Sequence, residues 1–136
     1  MSGAYQKSIP FTFRLDLASG VPVYRQLIEQ VRNGIALGSL RPGDQLPTVR
    51  QTAVDLAINP NTVVRAYREL EILGTIETHQ GTGTFVSSQK VDRDDIERQR
   101  QLNQIVSEFV ARAAAVGFRV EDIIARLQEA TERNSQ

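Results

Sequence analysis

The 136-residue sequence contains no cysteine and one histidine, His79. Without thiolates and with a lone imidazole, the usual zinc sites cannot be assembled within one chain, so zinc fingers are excluded. A carboxylate site stays open on composition alone, but no metal or cofactor is expected. There is no run of about 18 apolar residues, which removes a membrane-spanning helix from consideration. The first residues, MSGAYQKSIPF, lack the apolar core of a secretory signal. A cytoplasmic protein without a membrane partner is expected. An excess of one charge is missing too: 16 Lys and Arg balance 16 Asp and Glu, which at first sight disfavours a nucleic-acid partner. Nor is there a nucleophile-base pair or a phosphate-binding glycine loop, and the length leaves no room for a large catalytic domain. An enzyme is not expected.

What is present suits a folded chain. The composition, 40% hydrophobic and 24% charged, is that of an ordinary globular protein. The charge, although zero in sum, is unevenly placed. Residues 1–90 carry nine Lys or Arg against seven Asp or Glu, and residues 91–136 carry seven against nine. The amino-terminal part is therefore the more basic one.

Alternating apolar positions over residues 11–17, before the turn-forming Ser19-Gly20, predict a short strand or extended arm. Pro22 suits the first turn of a helix, and Val23, Leu27, Ile28, Val31, Ile35 and Leu37 recur at helical spacing up to Gly38. Arg41-Pro42-Gly43-Asp44 reads as a turn, and Thr48 as the N-cap of a second helix over residues 49–57. Val49, Ala53, Val54, Leu56 and Ala57 of that helix are expected to face a core. Pro60 pushes Asn59 out of the α region, and Asn61 is expected to cap a third helix over residues 61–73. Val63, Ala66, Tyr67, Leu70 and Leu73 form its inner face; Thr62, Val64, Arg65 and Arg68 remain outside. Residues 75–79 and 84–86 alternate around Gln80-Gly81-Thr82-Gly83 and predict a β-hairpin. Beyond the polar stretch Ser87-Ser88-Gln89-Lys90, a long helix from Asp92 carries Ile96, Leu102, Ile105, Val106, Phe109, Val110 and Ala113 as its apolar stripe and ends at Gly117. A last helix covers residues 120–131, with residues 132–136 frayed.

The expected fold class is α+β, mainly α. A winged helix-turn-helix domain over residues 1–88, including the arm, precedes a two-helix dimerisation tail over residues 89–136. Two short helices joined by a tight turn and followed by a glycine-tipped hairpin form the arrangement that lays a recognition helix in the major groove of DNA. Asn59, Asn61 and Thr62 at the start of the third helix can bond to phosphates or base edges, and Arg65 extends that surface. Arg50 is a candidate bidentate donor to a base edge or phosphate. His79 and Gln80, with the backbone of Gly81, Thr82 and Gly83, can approach the minor groove because glycine has no Cβ to obstruct it.

Each residue also has a plainer reading. Arg50 and Arg65 suit a solvated surface, and Asn59 and Asn61 suit capping and turning without any ligand. His79 suits a surface strand, and Tyr24 and Tyr67 suit core packing rather than stacking on bases. The acidic Asp92, Asp94, Asp95 and Glu97 suit the start of a helix better than a cation site.

Leu46-Pro47-Thr48-Val49-Arg50, Asn59-Pro60-Asn61-Thr62-Val63 and Gln80-Gly81-Thr82-Gly83-Thr84-Phe85-Val86 occur together with Pro22-Val23-Tyr24 and Arg41-Pro42-Gly43. In order and spacing these motifs resemble the GntR family of bacterial transcription regulators, over about residues 21–87. The resemblance implies DNA contacts at Arg50, Asn59, Asn61, Thr62, Arg65 and the hairpin around Gln80 and Gly81. Where many family members carry an arginine, this chain has Pro60, so one expected contact is missing. The short helical tail is similar to the YtrA subfamily. That likeness implies a dimeric repressor of its own operon and of a transporter operon. Ile105, Phe109, Ile123 and Leu127 have too little partner surface in a two-helix tail, which predicts burial against a second subunit. The expected partners are double-stranded operator DNA, a second copy of the chain, and a small-molecule effector that nothing in the sequence identifies. Competing readings are a protein-interaction module, favoured by a non-basic recognition face, and a small enzyme, for which Gly81-Thr82-Gly83 alone is too weak a signal.

Overall fold

The computed structural model describes residues 11–88 and 95–135. The chain divides into two compact units, Met1–Ser88 and Gln89–Gln136.

The first unit begins with an extended arm whose side chains alternate inward and outward. Phe13 is buried, and Phe11 and Leu15 are half-buried. The arm is not a strand, because its backbone groups are met by side chains of the following helix, α1 (Val23–Leu37). Gln30 Oε1 accepts from the Arg14 N–H at 2.9 Å while its Nε2 donates to the Arg14 carbonyl at 2.6 Å. Gln26, buried, repeats the device at Asp16 and also donates to the Val21 carbonyl. Two glutamine amides thus do what a neighbouring strand would otherwise do. Pro22 sits just outside α1, as its N-cap, and Gly38 in the left-handed conformation ends it.

Strand β1 (Gln45–Leu46) leads to α2 (Val49–Leu56), α3 (Pro60–Ile72), β2 (Ile76–His79) and β3 (Gly83–Val86). The sheet is antiparallel in the order β1-β3-β2, with Gln45 opposite Phe85 and Ile76 opposite Val86. The hairpin was legible in the sequence; β1 was not. α1 packs on α3, α2 on α3, and α3 on β2. Leu27 and Val31 of α1 and Val63 and Leu70 of α3 are fully enclosed, with Leu46, Ala53, Ala66, Tyr67, Ile76 and Val86 around them. Each large aliphatic side chain removed from water in this way contributes about 1.5–3 kcal/mol, the main driving force for so small a unit.

Several expected core positions lie outside. Leu37 is exposed at the end of α1, Val54 is 69% exposed, Ala57 is exposed beyond the end of α2, and Leu73 is 60% exposed. α2 is only two turns long and offers one narrow stripe, which Ala53 and the buried Thr52 occupy; Val54 therefore turns to solvent. Ala57 and Leu73 follow the last helical residues of α2 and α3, where helical periodicity no longer sets direction.

The second unit pairs α4 (Asp95–Ala115) with α5 (Val120–Ser135). The expected start of α4 at Asp92 lies outside the described residues, as do Gln89 and Lys90 of the polar stretch. The expected fraying from residue 132 is corrected: α5 continues to Ser135. At its start Asp122 Oδ2 accepts from the Arg119 N–H at 2.8 Å, with Glu121 beside it in the first turn. Val110 and Ala113 of α4 and Ile123 and Ala130 of α5 are half-buried, whereas Ile105, Phe109 and Leu127 are exposed.

Candidate nucleic-acid interface

α2 and α3 are each opened by a side-chain cap. Thr48 Oγ1 accepts from the Gln51 N–H at 3.0 Å. Asn59 Oδ1 accepts from the Asn61 N–H at 2.8 Å. The cap of α3 is therefore Asn59, not the expected Asn61: Pro60 occupies the first helical position, where its missing N–H costs nothing, and this moves the helix start one residue back. Neither helix has an acidic residue in its first turn. The partial positive charge of both N-termini thus stays available to an anion, and the carboxylates of α3, Glu69 and Glu71, sit at its far end.

The connection between the two helices is tight. Ala57 takes the left-handed conformation, φ 55°, the one positive φ at a non-glycine residue among those described. Its N–H and that of Ile58 return to the carbonyl of Ala53, at the end of α2. Ile58 then packs against the core. Behind the turn, the buried Tyr67 hydroxyl donates to the Pro47 carbonyl at 2.6 Å, fixing the segment that starts α2 to α3.

Arg50, the second residue of α2, is exposed and unpaired among the described residues. Asn61 is exposed and Thr62 half-buried at the start of α3. Arg65 is exposed but not free: its guanidinium carbon lies 3.7 Å from the centre of the Tyr24 ring, and Nε is 3.9 Å from Glu69 Oε1. Tyr24 is half-buried and packs against the core as expected, and its ring also carries that arginine. Tyr67 is the more deeply buried of the two. Val64, an aliphatic side chain on the outer face of α3, is exposed; it has the chemistry to meet a thymine methyl group.

The hairpin turn closes through the Thr82 N–H to the His79 carbonyl at 2.9 Å, leaving His79, Gln80, Gly81 and Thr82 exposed. Gly83 is held to glycine by its backbone conformation. Its φ is 135°, and a Cβ there would stand 2.5 Å from Gln45 Nε2. That amide donates to the Thr82 carbonyl at 3.2 Å, so β1 supports the tip of the wing. Gln45 was not singled out from the sequence, since a two-residue strand has no periodicity to betray it. His79 faces Gly83 across the hairpin, and with no side chain there its ring leans edge-on against Phe85 at 5.4 Å. Its Nε2 lies 3.1 Å from Glu77 Oε1. Among the described residues no group of His, Cys, Asp and Glu is placed to hold a metal ion.

Residues 23–86 match the pattern of the bacterial regulatory proteins of the gntR family. Over 114 residues the chain is 33% identical to the uncharacterized HTH-type transcriptional regulator YhcF of Bacillus subtilis, covering 84% of this chain and 93% of that relative. The chain belongs to the gntR family. This gntR-family protein is also 46% identical over 74 residues to the HTH-type transcriptional repressor YtrA of Bacillus subtilis, covering 54% of the chain and 57% of YtrA. YtrA from Sulfolobus acidocaldarius, a GntR-family transcription factor of known structure, superposes with a TM-score of 0.53 at 29% identity, covering 91% of this chain and 100% of that one. The protein is a YtrA-like, DNA-binding transcription regulator and not an enzyme. Among its described residues no helix is long and apolar enough to cross a membrane.

Proposed function

We propose that this regulator acts in the cytoplasm as a homodimer on double-stranded operator DNA and represses its own operon together with a transporter operon. The observation that carries the DNA-binding surface is the pair of capped helices α2 and α3. Their first turns hold no carboxylate, they present exposed Arg50 and Asn61, and they lead into a glycine-tipped wing. In this reading α3 enters the major groove, Arg50, Asn59, Asn61, Thr62 and Arg65 meet phosphates and base edges, and the segment from His79 to Gly83 reaches the adjoining minor groove. The repressor sense is supported by the relative YtrA, itself a repressor. A second subunit covers Ile105, Phe109, Ile123 and Leu127, and the twofold axis so formed matches a pseudo-palindromic site. An effector that binds two dimer conformations with different affinity would shift operator occupancy.

The test is fluorescence anisotropy on the DNA upstream of the protein's own gene, against a random duplex, at several salt concentrations. The wild type is expected to prefer the upstream DNA, and Arg50→Ala to weaken that binding by about 1–3 kcal/mol. Equal, weak binding of the folded protein to both duplexes would refute the operator reading and favour a protein-interaction module.

A further inference from the structure

We propose that Tyr24 of α1 is a positioning residue for DNA binding, holding the Arg65 guanidinium on its ring so that the arginine's in-plane donors meet a backbone phosphate. This rests on the operator-binding reading above. The guanidinium carbon sits 3.7 Å from the ring centre. At that distance the contact uses the flat face of the cation, and the N–H groups, which point outward in its plane, stay free to donate. The side chain is still 61% exposed, so the stack does not bury the charge. Glu69, 3.9 Å away with its side chain 46% exposed, adds only a weak surface pair along the same helix. Arg65 also stands more than a turn beyond the capped start of α3. That position suits the sugar-phosphate flank rather than the base edges, where Asn61 and Thr62 are better placed. A long, flexible arginine normally loses much rotamer freedom on binding; one already laid on a ring fixed in α1 loses less. Tyr24 thus makes α1 part of the binding machinery without touching DNA itself.

The experiment uses the full chain with two probes: a short duplex enriched on that chain from a random-sequence pool, and a scrambled duplex of the same composition. Because the contact is to phosphate, Arg65→Ala should weaken both duplexes alike and lower the salt slope by about one. Tyr24→Leu should weaken both by about two- to fivefold, the size of an exposed cation–π contact, with the salt slope unchanged. Tyr24→Phe, which keeps the ring, should bind as wild type. In the Arg65→Ala background Tyr24→Leu should have no further effect. Arg65→Lys, which keeps the charge but has no planar face to lie on the ring, should reproduce the loss seen in Tyr24→Leu without altering α1. An equal loss from Tyr24→Leu with and without Arg65, or full affinity in Arg65→Ala, would overturn the proposal. If Arg50→Ala weakens the enriched duplex while Arg65→Ala does not, only this inference falls. If neither substitution matters, the operator-binding surface itself is wrong.

Discussion

At the scale of single residues, Tyr67 joins the fold to the interface. Its ring lies in the core 6.4 Å from Phe13, and its hydroxyl holds the Pro47 carbonyl at the start of α2. Burial pushes that hydroxyl up to about 12 from its ordinary 10.0. The folded chain therefore keeps a proton that the unfolded chain begins to release near pH 10. Below that pH both states are protonated and the group's contribution is constant. Above it, stability falls as pH rises, by at most about 1.4 kcal/mol per pH unit, until the folded hydroxyl also ionises. Urea titrations from about pH 9 to pH 12 should show this loss in the wild type and a shallower one in Tyr67→Phe. At neutral pH the same variant should be destabilised by about 1 kcal/mol through the lost hydrogen bond. Identical pH slopes in the two proteins would show that the proton is not held. The wing offers a second residue-scale prediction. Gly83→Ala meets an unfavourable φ, and should cost roughly 1–3 kcal/mol of stability, read from the shift of the urea midpoint.

At the scale of elements, the turn between α2 and α3 carries a local conflict. Three chain reversals after helices, at Gly38, Gly74 and Gly117, place glycine in the left-handed conformation, whereas the helix-turn-helix uses Ala57. An L-residue there loses about 1 kcal/mol relative to glycine, offset in part by the greater freedom of glycine in the unfolded chain. Ala57→Gly should accordingly stabilise the first unit by about 0.5 kcal/mol, seen as a raised urea midpoint with the transition slope unchanged. A lowered midpoint would mean that the alanine methyl makes a contact worth more than the strain. Helix starts and stops were largely legible in the sequence because they depend on residues close to one another: Thr48 three positions before Gln51, and glycine after α1 and α3. The cap of α3 was misplaced by two residues, since Asn59 and Asn61 both have capping chemistry and only the backbone geometry at Pro60 decides between them.

At the scale of the whole molecule, the second unit leaves too much apolar surface in water. Ile105 is 62% exposed, and Leu102, Val106, Phe109, Ile124 and Leu127 are exposed as well, although the two helices already pack on each other. These exposed apolar side chains are what the proposed second subunit would cover. Phe109→Glu should therefore convert a dimer to a monomer in sedimentation velocity while leaving the helical signal of the chain intact. It should also weaken operator binding, because each half-site would then be held alone. A wild-type chain that sediments as a monomer at the concentrations where it binds DNA would refute the dimeric reading.

Legible in the sequence alone were the helices, the hairpin of β2 and β3, most of the inner faces of α1 and α3, and the family motifs. These are encoded by local chemistry: helical spacing, caps, turn residues and the alternation of the hairpin. Contacts between residues far apart in the chain were not legible there. The arm is satisfied by Gln26 and Gln30 rather than by a strand. Gln45 pairs beside Phe85 to make β1 and support the wing, and Val54 faces solvent because a two-turn helix buries only one stripe. Arg65 rests on Tyr24 because α1 and α3 pack with those side chains in register. No pattern within either helix encodes that contact; it exists only once the core between them has formed.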